Sequence, residues 1–465
     1  MAAQFSEQEV LQATAARRVG PSAPSAFEGV STDSRRPCAG CLFVALRGER
    51  FDAHEFLPQA AAQGARGAVV QRGAKRAPAP DTFALYEVED TLGALGALAR
   101  FHRARFSLPL GAITGSNGKT TAKEMTHAIL STRGPALKSE GNLNNEVGLP
   151  LTLLRLNREH VAAVVEMGMN RPGEIARLTS ISRPDAALIT AIQPAHLEGL
   201  GTIANIADAK GELFRGLSPA ATAVVNQDDP HVVAQAEGIR AKRISFGRSP
   251  RAEVRILRAE SCGAEGLRAA FGFRDREHIA RLAFVGEHNI HNAAAAFTLG
   301  LTLGYSPEQC VAGLEAARPQ PHRLNLIPAP GGFTVLDDCY NANPSSMAAA
   351  LETLGSLKGR GRAVAVLGDM LELGSAEGRE HQRVGELAAK WTELMAFFGP
   401  RSRLSQRAAS AAGSTCAHFE ELDPLLRWLR PQLRPADLVL VKASRGMKLE
   451  RVVERLSEAV VGVHP

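Results

Sequence analysis

Nowhere does this chain carry about 18 uninterrupted apolar residues, so no membrane-spanning helix is expected. Aromatic residues are scarce at 5%, too few to interleave with basic side chains as a base-stacking surface. Nucleic acid is therefore not an expected partner. The net charge of +6 comes from arginines spread along the chain rather than from a basic block. It supports no more than a general affinity for anionic ligands. Cysteine is thin too: six residues, at 38, 41, 262, 310, 339 and 416, scatter over 465 positions. Such a scatter reads as reduced cytoplasmic thiols, not as a disulfide framework. Cys38 and Cys41 make a C-x-x-C, but no second ligand pair stands at zinc spacing. The run that follows, Leu42 to Leu46, reads as a strand, whereas a redox dithiol opens a helix. Both are expected to be structural. The opening MAAQFSEQEV carries acids and no apolar core, so no signal peptide is expected.

What the chain does have is enough apolar sequence, 45% in short runs, to build several cores. Its length exceeds what one core supports, and about three domains are expected. Residues 1–104 read as a small mixed α/β unit, with strands at 42–46 and 67–70 and a helix near 56–63. Residues 105–320 alternate apolar β-branched runs (161–166, 186–190, 223–226) with helical patterns (119–131, 203–217). That alternation predicts a mainly parallel sheet with helices on both faces. Residues 321–465 repeat it, with strands near 333–338, 363–367, 394–398 and 437–441, as a separate doubly wound domain. Pro319, Pro321, Pro328 and Pro330 mark the junction as a hinge.

The sharpest signal is Thr114-Gly115-Ser116-Asn117-Gly118-Lys119-Thr120-Thr121, directly after the apolar run from Leu110. A buried strand running through a glycine turn into a helix aims backbone N–H groups and the positive helix end at a polyphosphate. Lys119 can reach the terminal phosphates, and the Thr120 hydroxyl can ligate magnesium. The position six before Lys119 is Ile113, so the loop is shorter than the standard Walker pattern. Ligands of such sheets gather at the C-terminal strand ends, where Glu166 also falls. A carboxylate there calls for a cation, and magnesium on ATP is the candidate. His196, beyond the strand ending near Thr190, reads equally as a second metal ligand or as a turn cap. Lys210 sits in a helical run and is bland by spacing alone. Asn289 and Asn292, three apart at the start of an alanine-rich helix expected over 292–304, suit an adenine edge, with N-capping by Asn289 the competing role. Asp337-Asp338 and Asn341 end a strand and suit ribose or substrate hydroxyls. Arg323 and Lys442 are cations placed to close on phosphate or carboxylate.

Nine segments resemble the Mur ligases of peptidoglycan synthesis, over nearly the whole chain. They are TGSNGKTT (114–121), NLNNEVGLPLTLL (142–154), EMGMNRPGEI (166–175), AHLEGLG (195–201), AKGELF (209–214), HNIHNAAAA (288–296), DDCYNANPSSM (337–347), LGDMLELG (367–374) and KASRGMKLE (442–450). STDSRR and LFVALRGERFDAHEF resemble the family's UDP-binding domain. EMGMNRPGEI and DDCYNANPSSM are similar to the branch that adds D-alanyl-D-alanine. The branch adding a diamino acid would carry Ser-Ser-His after the glutamate and Asp-Asn-Pro-Arg in the last domain, and this chain has neither. Folylpolyglutamate synthase shares the phosphate loop but lacks the N-terminal domain.

The resemblance implies a UDP-substrate-binding domain, a central ATP-binding domain and a C-terminal Rossmann-like domain in a cytoplasmic, monomeric enzyme. The substrates implied are ATP, UDP-N-acetylmuramoyl-tripeptide and D-alanyl-D-alanine, joined through an acyl phosphate. Lys119 would bridge the transferring phosphate within the ATP loop Gly115, Ser116, Asn117, Gly118, Lys119, Thr120 and Thr121. Two magnesium ions are implied, the first on Thr120 and Glu166, the second on His196 and a carbamylated Lys210. Asn289 and Asn292 would meet adenine and Asp338 the ribose, while Arg323 and Lys442 would arrive on domain closure. Ser34 and Arg35 would lie near the uridine diphosphate, and Asn144, Asn145, Thr152 and Asn341 near the substrate. The chain departs from the family pattern at Gln193-Pro194, where an Asn-Ile-Gly-like stretch is usual, and at Ala53 and Ala443, where glycine is usual.

Overall fold

A computed structural model describes residues 3–20, 26–48, 51–81, 83–194 and 197–458. Three large sheets follow one another along the chain. The first has five strands in the order Arg17–Val19, Ala84–Val88, Gly67–Gln71, Leu42–Val44, Val30–Ser31. Its first pair is antiparallel and the rest are parallel. A two-stranded ribbon, Gln4–Phe5 with Phe27–Glu28, lies beside it.

The second sheet has nine strands. Seven run parallel in the order Ala136–Lys138, Ala162–Glu166, Leu110–Thr114, Ala186–Ile189, Thr222–Asn226, Lys242–Gly247, Val254–Ser261. Leu110–Thr114 is buried along its whole length between Ala162–Glu166 and Ala186–Ile189. The chain first winds to one side of this strand and then to the other. Its C-terminal end is therefore the point where the order reverses and a crevice opens. Alternate residues feed opposite faces, as the pleat requires. Leu110, Ala112, Ala163 and Val165 join a core continuous with Phe5, Leu95 and Leu98 of the first module. Ile113, Ala162 and Val164 join another beneath the helix His288–Thr302.

The antiparallel strands Leu267–Phe273 and Arg276–Leu282 complete this mainly parallel sheet, a hairpin that the sequence reading did not place. Their turn explains the miss. Arg274 and Asp275 both adopt left-handed backbone (φ 49° and 61°), the geometry of a type I′ hairpin. Neither is the Asn-Gly pair that advertises such a turn.

The third sheet runs Asn325–Pro328, Thr334–Asp337, Leu438–Lys442, Ala363–Gly368, Leu394–Phe398, Cys416–Phe419, antiparallel only at its first pair. Separate cores fill its two faces. Cys38 and Cys41 are disulfide-bonded, which corrects the expectation of reduced thiols. Their Cα atoms stand 5.5 Å apart in the turn that leads into Leu42–Val44, a spacing within reach of a disulfide.

Candidate active site

The phosphate loop is held by contacts that depend on its two glycines. Gly115 has φ 149°, and a Cβ there would stand 1.9 Å from the Thr190 hydroxyl. Gly118 has φ 81°, and a Cβ would meet Asn292 Oδ1 at 2.2 Å. The Thr190 hydroxyl donates to the Asn117 carbonyl (2.5 Å). The Ser116 hydroxyl donates to the Gln193 carbonyl (2.8 Å) and accepts from the Gln193 N–H (2.9 Å). Lys119 opens the helix Lys119–Leu130 and curls back onto the carbonyls of Gly115 (2.8 Å) and Ser116 (3.3 Å). Burial pulls its pKa down; Glu166 opposes that shift and Arg323 adds to it.

Glu166 ends the adjacent strand in register with Ile113 and is buried. Its Oε1 accepts from the Asn144 amide (2.9 Å), while Oε2 is buried with no partner among the described residues. A buried carboxylate oxygen without a partner beside the loop is a donor atom that a cation could use. Thr120 lines the same cavity. Lys210 is buried too, with no hydrogen-bond acceptor among the described residues. Burial, then Lys119, pushes its pKa well below the usual lysine value. His196 lies outside the described residues.

The third module closes the other wall. Arg323 donates to the Thr120 hydroxyl (3.2 Å) and lies 4.1 Å over the Tyr340 ring. Asp338, one residue past the strand Thr334–Asp337, pairs at 2.6 Å with Lys442, which ends the neighbouring strand; Lys442 also donates to the Asn341 carbonyl (2.9 Å). A chain of amides crosses between the modules. Asn343 Oδ1 caps its own helix at Ser346 N–H (2.9 Å), which leaves Nδ2 to donate to Asn117 Oδ1 (2.8 Å). Asn117 Nδ2 then donates to Gln193 Oε1 (2.6 Å).

These elements enclose a cavity of about 890 Å³. Ser116 to Thr121, Asn144, Asn145, Glu166, Lys210, Asn289, Asn292, Arg323, Asp338, Asn341 and Lys442 all line it. Asn289 lies within the first turn of a helix that begins at His288, so it is not the N-cap. Its Nδ2 donates to Val285 O (2.7 Å) and its Oδ1 accepts from Asn292 (2.8 Å), which leaves little free amide for a base. Asn145 lines the cavity, yet its Oδ1 accepts from the Val147 and Gly148 N–H groups at the start of the helix Gly148–Leu153 (3.2 and 2.8 Å).

Of the expected residues, Gly115 begins the loop but is not among those lining the cavity, and three others stand elsewhere. Thr152 is fully buried and returns its hydroxyl to the Gly148 carbonyl (2.9 Å), so it faces core and not ligand. Ser34 donates to Gln59 Oε1 (3.2 Å), and Arg35 clasps Asp33 at 2.8 and 3.0 Å. Neither lines this cavity, because both belong to the first module. The sequence reading missed His288, His291, Asp228, Tyr340 and Gln193, which all line it. The protein around the cavity draws the His288 pKa down to about 4, against the opposing charge of Asp338, although the side chain itself is exposed. His291 Nε2 stands 3.2 Å from Asp228 Oδ2.

The chain matches the Mur ligase family, catalytic domain over residues 26–103, the Mur ligase middle domain over 113–300 and the Mur ligase, glutamate ligase domain over 322–445. It is 39% identical to the UDP-N-acetylmuramoyl-tripeptide–D-alanyl-D-alanine ligase of Escherichia coli, with 93% of this chain and 94% of that one aligned. A crystal structure of MurF from Acinetobacter baumannii superposes with a TM-score of 0.89 at 34% identity, covering 98% of this chain and 100% of that one. The MurF ligase of Thermotoga maritima, solved in complex with ADP, gives a TM-score of 0.81 at 28% identity over 92% of this chain and 96% of that one.

Proposed function

The chain belongs to the Mur ligase family, and we propose that its cavity links D-alanyl-D-alanine to UDP-N-acetylmuramoyl-tripeptide through an acyl phosphate. The enzyme is an ATP-dependent ligase of peptidoglycan synthesis. One observation carries the assignment of the chemistry to this cavity: the glycine loop and buried Glu166 of the second module face Arg323, Asp338 and Lys442 of the third across one space. A carboxylate is a poor electrophile. Its oxygen attacks the terminal phosphorus of ATP, the bond to ADP breaks, and the acyl carbon acquires a phosphate leaving group. The dipeptide amine then adds to that carbon, loses a proton and expels phosphate. Each species on this path is anionic, so the protein's task is to position and neutralise charge.

Lys119 and Arg323 supply that charge beside the transferring phosphoryl group. Asp338, paired with Lys442, meets the ribose, and Asn289 with Asn292 packs the nucleotide side of the loop. Asn144, Asn145 and Asn341 face the peptide, and Ser34 and Arg35 hold the uridine diphosphate in the first module. The orphaned Glu166 oxygen and the Thr120 hydroxyl fit a magnesium ion, which, when bound, offsets phosphate charge. Lys210 fits carbamylation: burial favours the neutral amine that takes up carbon dioxide, and the product is an anionic oxygen ligand for a second ion. His196 would join it there. The domain limits at 104 and 320, a monomeric state and a cytoplasmic location belong to the same proposal; among the described residues no helix is long and apolar enough to cross a membrane.

The deciding experiment is phosphate release with the UDP-linked tripeptide and D-alanyl-D-alanine omitted in turn. Release should require both, with a product whose mass equals the two acceptors less water. Release indifferent to the dipeptide would overturn the assignment.

A further inference from the structure

We infer that His322, Asp337 and Cys339 form a binding site for one thiophilic divalent cation, of which zinc is the natural example, where the third module joins the second. Their ligand atoms all lie within 4.8 Å of one another. His322 Nδ1 stands 2.8 Å from Asp337 Oδ2 and 3.5 Å from Cys339 Sγ. Imidazole, carboxylate and thiol are the donor types zinc takes, at bond lengths that put tetrahedral ligands about 3.3 to 3.6 Å apart. The nitrogen–sulfur pair already has that spacing, and the nitrogen–oxygen pair needs to open by about half an ångström. A fourth position is left to water, and an ion has a way in because the His322 side chain is one-third exposed (33%) while Asp337 is buried.

The backbone around the trio is arranged for this convergence. His322 adopts left-handed φ 65°, an unfavourable choice for a residue with a Cβ. Its carbonyl accepts from the Tyr340 N–H (3.2 Å), which ties the segment before Arg323 to the segment after Asp338. The Asp337 carboxylate also accepts from the Cys339 N–H (3.3 Å), an outer contact that orients a ligand. An ion here would brace Arg323 and Asp338, the neighbours in sequence that face the nucleotide cavity, without touching the cavity itself.

The test uses the whole chain carrying Cys262→Ser and Cys416→Ser, because Cys262 is exposed, Cys416 is partly so, and either could bind metal adventitiously. The Cys38–Cys41 disulfide is kept oxidised, and ADP with excess magnesium occupies the nucleotide cavity. Cobalt(II) chloride is added and followed by its thiolate charge-transfer absorption, then displaced with zinc. One equivalent should bind, with the absorption abolished by Cys339→Ser and the affinity lowered at least tenfold by His322→Asn. His322→Asn alters a partly exposed side chain and so keeps the test valid if Cys339→Ser misfolds. Absence of the absorption, or its survival in either variant unchanged, would reduce the trio to a hydrogen-bonded histidine and a buried thiol.

Discussion

Lys210 is an amine that the fold buries without a hydrogen-bond acceptor among the described residues, and its charge has a cost that pH exposes. Its folded pKa lies well below the unfolded value of about 10.4. Between those two values the unfolded chain holds a proton that the folded chain does not, so stability rises with pH across that window. Lys210→Met should therefore unfold at higher temperature than the parent at pH 7 in buffer free of carbon dioxide, with the gain shrinking towards pH 10. A gain independent of pH would mean that the charge is not its source. Restoring bicarbonate at pH 7 should raise the parent's activity and leave the variant inactive; parental turnover indifferent to bicarbonate would remove the carbamate. Lys119 is different in kind. Among the described residues its ammonium hydrogen-bonds only to loop carbonyls, so Lys119→Ala should lower turnover at least a thousandfold (about 4 kcal/mol of barrier) while thermal unfolding moves little. Glu166→Gln tests the orphaned oxygen. The substitution keeps the side chain's shape but removes the anionic oxygen, so it should abolish any stabilisation by magnesium, read by thermal unfolding with and without the ion.

At the level of elements, the parts legible in the sequence were those whose signal is local. Leu110–Thr114 followed by Gly, Gly, Lys and Thr specifies strand, turn and helix within a dozen residues, and both glycines prove to be sterically required. Strand-end acids could be read the same way, because Asp338 and Glu166 each follow or close an apolar β-branched run. What escaped was fixed by tertiary partners. His288 sits in a helix whose alanine-rich pattern reads as core, and Tyr340 gains its meaning only from Arg323 stacked above it. Thr152 misled because a polar residue inside a family-like segment was credited to the ligand, when its hydroxyl serves its own helix. Gln193 was visible as a departure from the family pattern, but its partner lies 76 residues away. Its side chain supplies the acceptor that orients Asn117. Gln193→Leu should raise the KM for ATP about three- to tenfold, the range of one lost hydrogen bond. The KM for D-alanyl-D-alanine should stay unchanged. Equal rises in both would point to general damage and not to a misplaced loop.

Across the whole molecule, the second module meets the third through Val285, which joins the third module's core, and through a few polar side chains at the phosphate loop. Among the described residues, the hydrogen bonds between the phosphate loop and the third module are Arg323 to Thr120 and the Asn117–Asn343 pair, beside the space a nucleotide needs. By contrast the first and second modules share a continuous apolar core from Phe5 and Leu98 to Leu178, so they should move as one. Net hydrogen bonds contribute about 0.5 to 1.5 kcal/mol each, and so few give a latch that thermal motion can open. Arg323→Ala combined with Asn343→Ala should then open the third module away from the loop. Solution scattering should give the double variant a larger radius of gyration than the parent without nucleotide. A non-hydrolysable ATP analogue should bring the two radii back together, because its phosphates offer Lys442 a bridge to the loop across the same cavity. Equal radii before nucleotide is added would show that packing, and not these polar contacts, holds the closed form.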